Sequence, residues 1–181
     1  MDNRNMASEM TIPEEWHPTD DWSSHRPMLY MAMLVTGWTV IEFGCGNGST
    51  KLLADLCTKQ NRHFYSFETN KQWSDMFPVA MLIPSYDHAF PFFPCSLLFI
   101  DHAPGELRKY YIAKHAGLCD IIIVHDTEPG AEYVYGLTEI LKQFKYRCDL
   151  IIEGMPQTTA VSNVYDFKDW KGIYNEKFKF I

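Results

Sequence analysis

Glycines, acids and histidines recur in this chain directly after short apolar runs, and that placement is what could support chemistry. The run Val40 to Phe43 carries Glu42 inside it and passes into Gly44, Cys45, Gly46, Asn47 and Gly48, with Ser49 next. His63 to Phe67 ends at Glu68 and Thr69, and Val79 to Ile83 is followed by Asp87. Ser96 to Ile100 ends at Asp101 and His102, and Ile121 to Val124 ends at His125, Asp126 and Thr127. Glycine at alternate positions lets a backbone take positive φ and approach a ligand with no Cβ in the way. Ser49 is an N-cap candidate for a helix whose Leu52, Leu53 and Leu56 form an apolar stripe, and the first turn of such a helix offers unpaired N–H groups. The turn reads as a nucleotide-holding device. A lone acid after a strand reads as a solvated loop residue or a cap. Five polar strand ends together make that reading hard to sustain.

Side chains at strand ends work together only if the strands lie side by side. From Thr39 onward apolar runs alternate with helical segments, the pattern of parallel strands joined by crossover helices. Helices are expected over 28–36, closed by Gly37, then over 70–77, 105–117 and 131–144, the last with Val134, Leu137, Leu141 and Phe144 on one face. Tyr146 to Ile152 and Thr158 to Val164 are separated only by EGMPQ, too little for a crossover, so they should pair antiparallel. A short helix is expected over 167–174, and the tail KFKFI carries no readable signal. The expected fold is α/β: a Rossmann-like seven-stranded sheet with helices on both faces, its last two strands an antiparallel hairpin. One domain would span 1–181, with 1–27 as an N-terminal arm or lid. In such sheets the ligand sits beyond the carboxyl ends of the strands, where strand order reverses.

Composition narrows the partners. The 16 basic against 23 acidic side chains, a net charge of −7, argue against gripping a nucleic acid over a broad surface. Five cysteines with no C-x-x-C pair form neither a disulfide framework nor a zinc-ligand pattern, which fits a reducing, cytoplasmic setting. No leader-like apolar segment and no run of membrane-spanning length is present in the 181 residues.

Glu68 stands 20 residues beyond Gly48, where an acid accepts hydrogen bonds from ribose hydroxyls. A dinucleotide fingerprint, G-x-G-x-x-G, would need glycine at Ser49, whereas the chain has G-x-G-x-G with Glu42 two residues ahead. The run from Glu42 to Gly48, the acid Glu68 and the later strand ends resemble class I S-adenosylmethionine-dependent methyltransferases. The resemblance implies S-adenosylmethionine as cofactor, with Gly44, Cys45 and Gly46 against its methionine part, Glu68 on the ribose, Thr69 near the adenine and Asp87 near the adenine amine. Gly48, Ser49, Glu42 and Asp101 complete the implied cofactor set.

LLFIDHAPGELRKYY followed by IIIVHDTEPG is also similar to the metal-dependent, catechol-type O-methyltransferases. By that similarity Asp101 and Asp126 would be carboxylate ligands of Mg2+, with Thr127 where the family has asparagine. The family's general-base lysine falls on Pro104, so that role is vacant. The catalytic candidates are Asp101, His102 and His125: either histidine could take the acceptor's proton, or each could merely orient a carboxylate. Asp101-His102-Ala103-Pro104 lacks the Asn/Asp-Pro-Pro-aromatic pattern of enzymes that methylate nucleobase amines. The expected acceptor is therefore a small-molecule or other non-nucleobase oxygen or nitrogen; a non-catalytic adenosyl-binding protein and an enzyme that cleaves the cofactor are the alternatives. The segment 13–27, with Trp16, Trp22, His25 and Arg26, reads either as aromatic cover for the core or as a lid. With the insert SYDHAFPFFP it could wall an apolar pocket, or form a homodimer contact.

Overall fold

The structure, a computed structural model, describes residues 12–89, 94–173 and 177–181. Two single-turn 3-10 segments, Glu14–Trp16 and Asp21–Ser23, lead into helix α1 (Arg26–Val35). The chain continues through β1 (Val40–Phe43), α2 (Thr50–Lys59), β2 (Phe64–Glu68), α3 (Lys71–Met76), β3 (Ala80–Leu82), β4 (Cys95–Ile100), α4 (Arg108–His115) and β5 (Cys119–His125). It closes with α5 (Glu132–Tyr135), α6 (Thr138–Leu141), β6 (Tyr146–Ile152), β7 (Thr158–Ser162) and β8 (Phe178–Phe180). The sheet order is β3-β2-β1-β4-β5-β7-β6-β8, parallel from β3 to β5 and antiparallel after it.

Strand alternation sends successive residues to opposite faces, and the buried residues sort accordingly. Val40, Leu97, Phe99, Ile121 and Ile123 join α1 and α2 residues such as Met28, Leu29 and Leu53 in one core. Ile41, Phe43, Leu98, Ile100, Ile122 and Val124 join Tyr111, Ile112 and Leu141 of α4 and α6 in the other. The order reverses between β1 and β4, so chain leaves the carboxyl ends of those two strands in opposite directions and opens a crevice there.

Four sequence expectations change. The helix expected over 131–144 is broken: Gly136, at φ +61°, closes α5, and the Glu132 carboxylate accepts from the Thr138 N–H and hydroxyl to start α6. The uninformative tail forms an eighth strand, with Phe178 and Phe180 buried and Lys179 outward, antiparallel to β6. The helix expected over 167–174 contracts to the turn Phe167–Asp169, and Tyr174 lies outside the described residues, as do Phe90 to Phe93 of the insert. The expectation of no disulfide framework is also corrected, because Cys95 and Cys119 face one another across the β4–β5 register and are bonded; Cys45, Cys57 and Cys148 are free and buried. An odd count without C-x-x-C could not reveal a pairing made by strand register. Among the described residues no helix is long and apolar enough to cross a membrane.

The glycine turn is set by close packing. Gly44 sits at φ +92°, and a Cβ there would lie 2.6 Å from the Asp101 carbonyl oxygen. A Cβ on Gly46 would meet nothing within 4 Å. Gly44→Ala should therefore cost at least about 2 kcal/mol in a urea titration, from left-handed strain and from pushing β1 off β4, while Gly46→Ala stays within about 0.5 kcal/mol of wild type.

Candidate functional site

At the strand-order reversal lies a cleft of about 620 Å³, lined by the turn Cys45 to Ser49, by Glu68, Thr69 and Asn70, and by Asp101, Ala103, Arg108, His125 and Asp126. Asp21, Trp22 and His25 of the N-terminal segment close one side, and Trp73, Tyr135 and Pro156 complete it. The segment is tied to the glycine turn: Arg26 donates from Nε to the Gly48 carbonyl at 3.0 Å and from Nη2 to that of Asn47 at 3.3 Å. A Cβ on Gly48 would strike the Trp22 carbonyl oxygen and crowd the His25 ring at 2.9 Å, so glycine is what lets the two segments meet.

The turn is fixed from beneath by two acids. Glu42, fully buried on β1, accepts from the hydroxyls of Ser49, Thr50 and Ser66. Burial pushes its carboxyl up to about 7, although those three hydrogen bonds pull the other way. Glu68, at the end of β2, accepts from the Cys45 N–H at 3.1 Å through one oxygen, and from the Thr69 and Asn70 N–H groups at 2.7 Å through the other. A single carboxylate thereby locks the β1 turn to the β2 turn while lining the cleft.

Arg108, at the start of α4 and only 5% exposed, holds the ends of β4 and β5 together. Its Nη2 donates to Asp101 Oδ1 at 3.0 Å and its Nη1 to Asp126 Oδ2 at 3.0 Å, while Nε and Nη1 also donate to the carbonyls of His102 and His125. The Tyr135 ring, delivered by the break at Gly136, lies over the guanidinium at 4.7 Å. Asp126 occupies the left-handed region at φ +57°, a conformation that aims its carboxylate back at Arg108 and His125. His125 Nδ1 lies 3.3 Å from Asp101 Oδ1 and from Asp126 Oδ1, and its Nε2 lies 2.8 Å from Ser24 Oγ. Burial would raise Asp101, yet the facing His125, its hydrogen bond and Arg108 hold that carboxyl down at about 2. Burial would lower His125, but Asp101 and Asp126 outweigh it and raise its pKa. His25 is buried between Phe99 and His125 and is held down at about 3 by that burial and by His125.

The predicted residues separate into groups. Cys45, Gly46, Gly48, Ser49, Glu68, Thr69, Asp101, His125 and Asp126 line the cleft; Glu42 and Gly44 lie just behind it. His102 is outside the lining, 1% exposed and stacked on Tyr86 at 4.4 Å, with burial holding it down at about 4. Asp87 is not part of the cleft lining and pairs with Lys114 at 2.6 Å. Thr127 is turned to Thr159, hydroxyl to hydroxyl at 2.7 Å. Of the three expected Mg2+ ligands, Asp101 and Asp126 line the cleft, each with one oxygen on Arg108, while the Thr127 hydroxyl is engaged by Thr159. Arg108, Ser24 and Tyr135 were not singled out in the sequence. The usable signal for Arg108 was a cation opening the helix that follows a strand-end acid.

No known protein-family description matches the chain, and no curated protein matches it. Solved structures do. The O-methyltransferase TomG from Streptomyces achromogenes, in complex with SAM, matches at 14% identity over 84% of this chain and 91% of that one, with a TM-score of 0.54. A Corynebacterium glutamicum protein taken to be a spermidine synthase matches at 8% identity over 94% of this chain and 77% of that one, with a TM-score of 0.60. A Clostridium thermocellum protein put forward as an rRNA methylase matches at 16% identity, 82% and 99% coverage, and a TM-score of 0.52. The chain has the Rossmann-like fold of the class I S-adenosylmethionine-dependent methyltransferases.

Arg108→Met keeps bulk but leaves Asp101 and Asp126 facing each other. Because both acids are partly solvated, the expected loss at neutral pH is about 2–4 kcal/mol, below that for a fully buried pair. A depressed carboxylate lends stability above its unfolded pKa and loses it as pH falls through its folded one. The gap between variant and wild type in chemical denaturation should thus narrow between about pH 4 and pH 2.

Proposed function

We propose that the chain is an S-adenosylmethionine-dependent methyltransferase acting on a small-molecule or other non-nucleobase oxygen or nitrogen acceptor. The observation that carries the reading is that one cleft, at the strand-order reversal, is lined at once by the glycine turn, by the acid at the end of β2 and by Asp101 at the end of β4. In this reading the methionine part of the cofactor lies along Gly44, Cys45 and Gly46, where Gly46 leaves open space, and the ribose hydroxyls meet Glu68. Thr69 lies beside the adenine, and Trp73 and Trp22, 6.5 Å apart at the mouth, flank it. The cleft size suits an adenosyl cofactor with a small acceptor.

Methyl transfer asks for an in-line nucleophile and a place for its proton, since the sulfonium supplies the leaving group. Asp101 and His125 sit where both can face the acceptor, with Arg108 fixing the carboxylate. His102, walled off by Tyr86, is a packing residue. The net charge of −7 and the acids at the cleft favour a compact or cationic acceptor over a nucleic acid. Residues 1–181 act as one domain, with 1–27 as its lid, in the cytoplasm; the free thiols of Cys45, Cys57 and Cys148 support that setting, and the Cys95–Cys119 bond speaks against it.

Calorimetry should show S-adenosylhomocysteine binding to wild type and no binding to Gly46→Arg, whose side chain fills the cleft without straining the turn. Equal binding by both proteins would remove the cofactor assignment. Incubation with S-adenosylmethionine alone should leave it intact; its consumption without acceptor would favour a cleaving enzyme.

A further inference from the structure

The floor of the cleft sets His125 between two carboxylates and a hydroxyl. Ser24 Oγ has the Asp21 carbonyl at 3.3 Å as acceptor for its own proton, and so can accept from His125 Nε2–H at 2.8 Å. In the neutral ring that arrangement leaves His125 Nδ1 without a proton, facing carboxylate oxygens of Asp101 and Asp126 at 3.3 Å. A nitrogen lone pair set between two anions needs a cation beside it. A proton on Nδ1 would meet that need and nothing more.

His25 is what a proton leaves unexplained. Its ring is 1% exposed, and neither nitrogen makes a hydrogen bond of good geometry among the described residues, although the Gly48 backbone lies close by. A buried, unpaired ring nitrogen costs on the order of 1–3 kcal/mol unless something occupies it. Ligand atoms of His25, Asp101 and His125 all lie within 4.8 Å of one another, on the wall of an open cleft. Asp101 Oδ1 takes Arg108 and His125, so its other oxygen remains to be used.

We propose that His25, Asp101 and His125 form a binding site for a borderline divalent transition metal, of which Zn2+ is the representative, opening on the cleft. Two imidazoles and one carboxylate are the donor set of Zn2+ or Fe2+, whereas Mg2+ calls for oxygens. Tetrahedral ligands bound at about 2.1 Å lie about 3.4 Å apart, so the cluster closes on an ion by about 1.4 Å or less, a change of side-chain torsions. The surroundings are those of a metal-bound histidine: Ser24 fixes the far nitrogen of His125, and Arg108 holds the second oxygen of Asp101. Three protein ligands leave a coordination position facing the cleft, where an oxygen, nitrogen or sulfur of an acceptor would bind. The site differs from the Asp101, Asp126 and Thr127 set expected from sequence, and it stands whether or not the chain transfers methyl groups.

The test is a titration of chelator-stripped full-length protein with Co2+, read by its visible ligand-field absorption, followed by displacement with Zn2+. One equivalent should bind, Zn2+ should displace it, and millimolar Mg2+ should not. His25→Gln and Asp101→Asn, each checked for a native melting curve, should weaken Co2+ binding by roughly tenfold or more. His63→Ala, which removes an exposed imidazole just before β2, at the end of the strand away from the cleft, should bind as wild type does. Wild-type protein that takes up no Co2+, or His25→Gln that binds it as tightly as wild type, overturns the proposal and leaves a proton as the only cation between His125 and Asp101. S-adenosylhomocysteine calorimetry on the stripped protein reads the cofactor assignment separately.

Discussion

One guanidinium holds the site end of this sheet together. The carboxyl ends of β4 and β5 bring Asp101 and Asp126 each to within 3.3 Å of His125, a concentration of negative charge that low dielectric makes costly. Arg108 answers it with donors to both carboxylates and to two backbone carbonyls, beneath the ring of Tyr135. That ring is in place because Gly136 breaks what would otherwise be a continuous helix. A feature of backbone conformation far along the chain thus sets the electrostatics at the end of β4.

A second constraint acts on the other side of the cleft. Glu42 and Glu68 are structural carboxyls first: one gathers three hydroxyls beneath the glycine turn, the other gathers three backbone N–H groups that join the turns after β1 and β2. The cleft wall is therefore rigid before any ligand arrives, as a preorganised binding site requires. The N-terminal segment is fitted onto that wall by Arg26 and by the near contact of Gly48 with Trp22, and it delivers Ser24 and His25 to the strand-end acids. Two halves of the chain, each incomplete, meet over the reversal between β1 and β4.

Much of this was legible in the sequence because it is written in short-range periodicity. The parallel strands, the hairpin of β6 and β7 and the glycine turn all follow from apolar runs and from the spacing of Gly44, Gly46 and Gly48. What was not legible depends on contacts distant in sequence. Arg108 reads as one cation in a polar helix start until β5 is placed beside β4. Asp87 looks like another strand-end acid until Lys114 is seen to hold it outside the cleft lining. The tail of β8 is too short for a periodicity argument, and only burial of Phe178 and Phe180 against β6 gives it order. Cys95 and Cys119 are neighbours by register alone.

The central claim is that the cleft at the β1/β4 reversal is built for an adenosyl cofactor, and the most direct measurement is a crystal structure of the protein grown with S-adenosylhomocysteine. The account predicts the amino-acid part against Gly44 to Gly46, the ribose hydroxyls on Glu68 and the sulfur directed toward Asp101. Density for the ligand elsewhere, with the glycine turn and Glu68 bare, would contradict it.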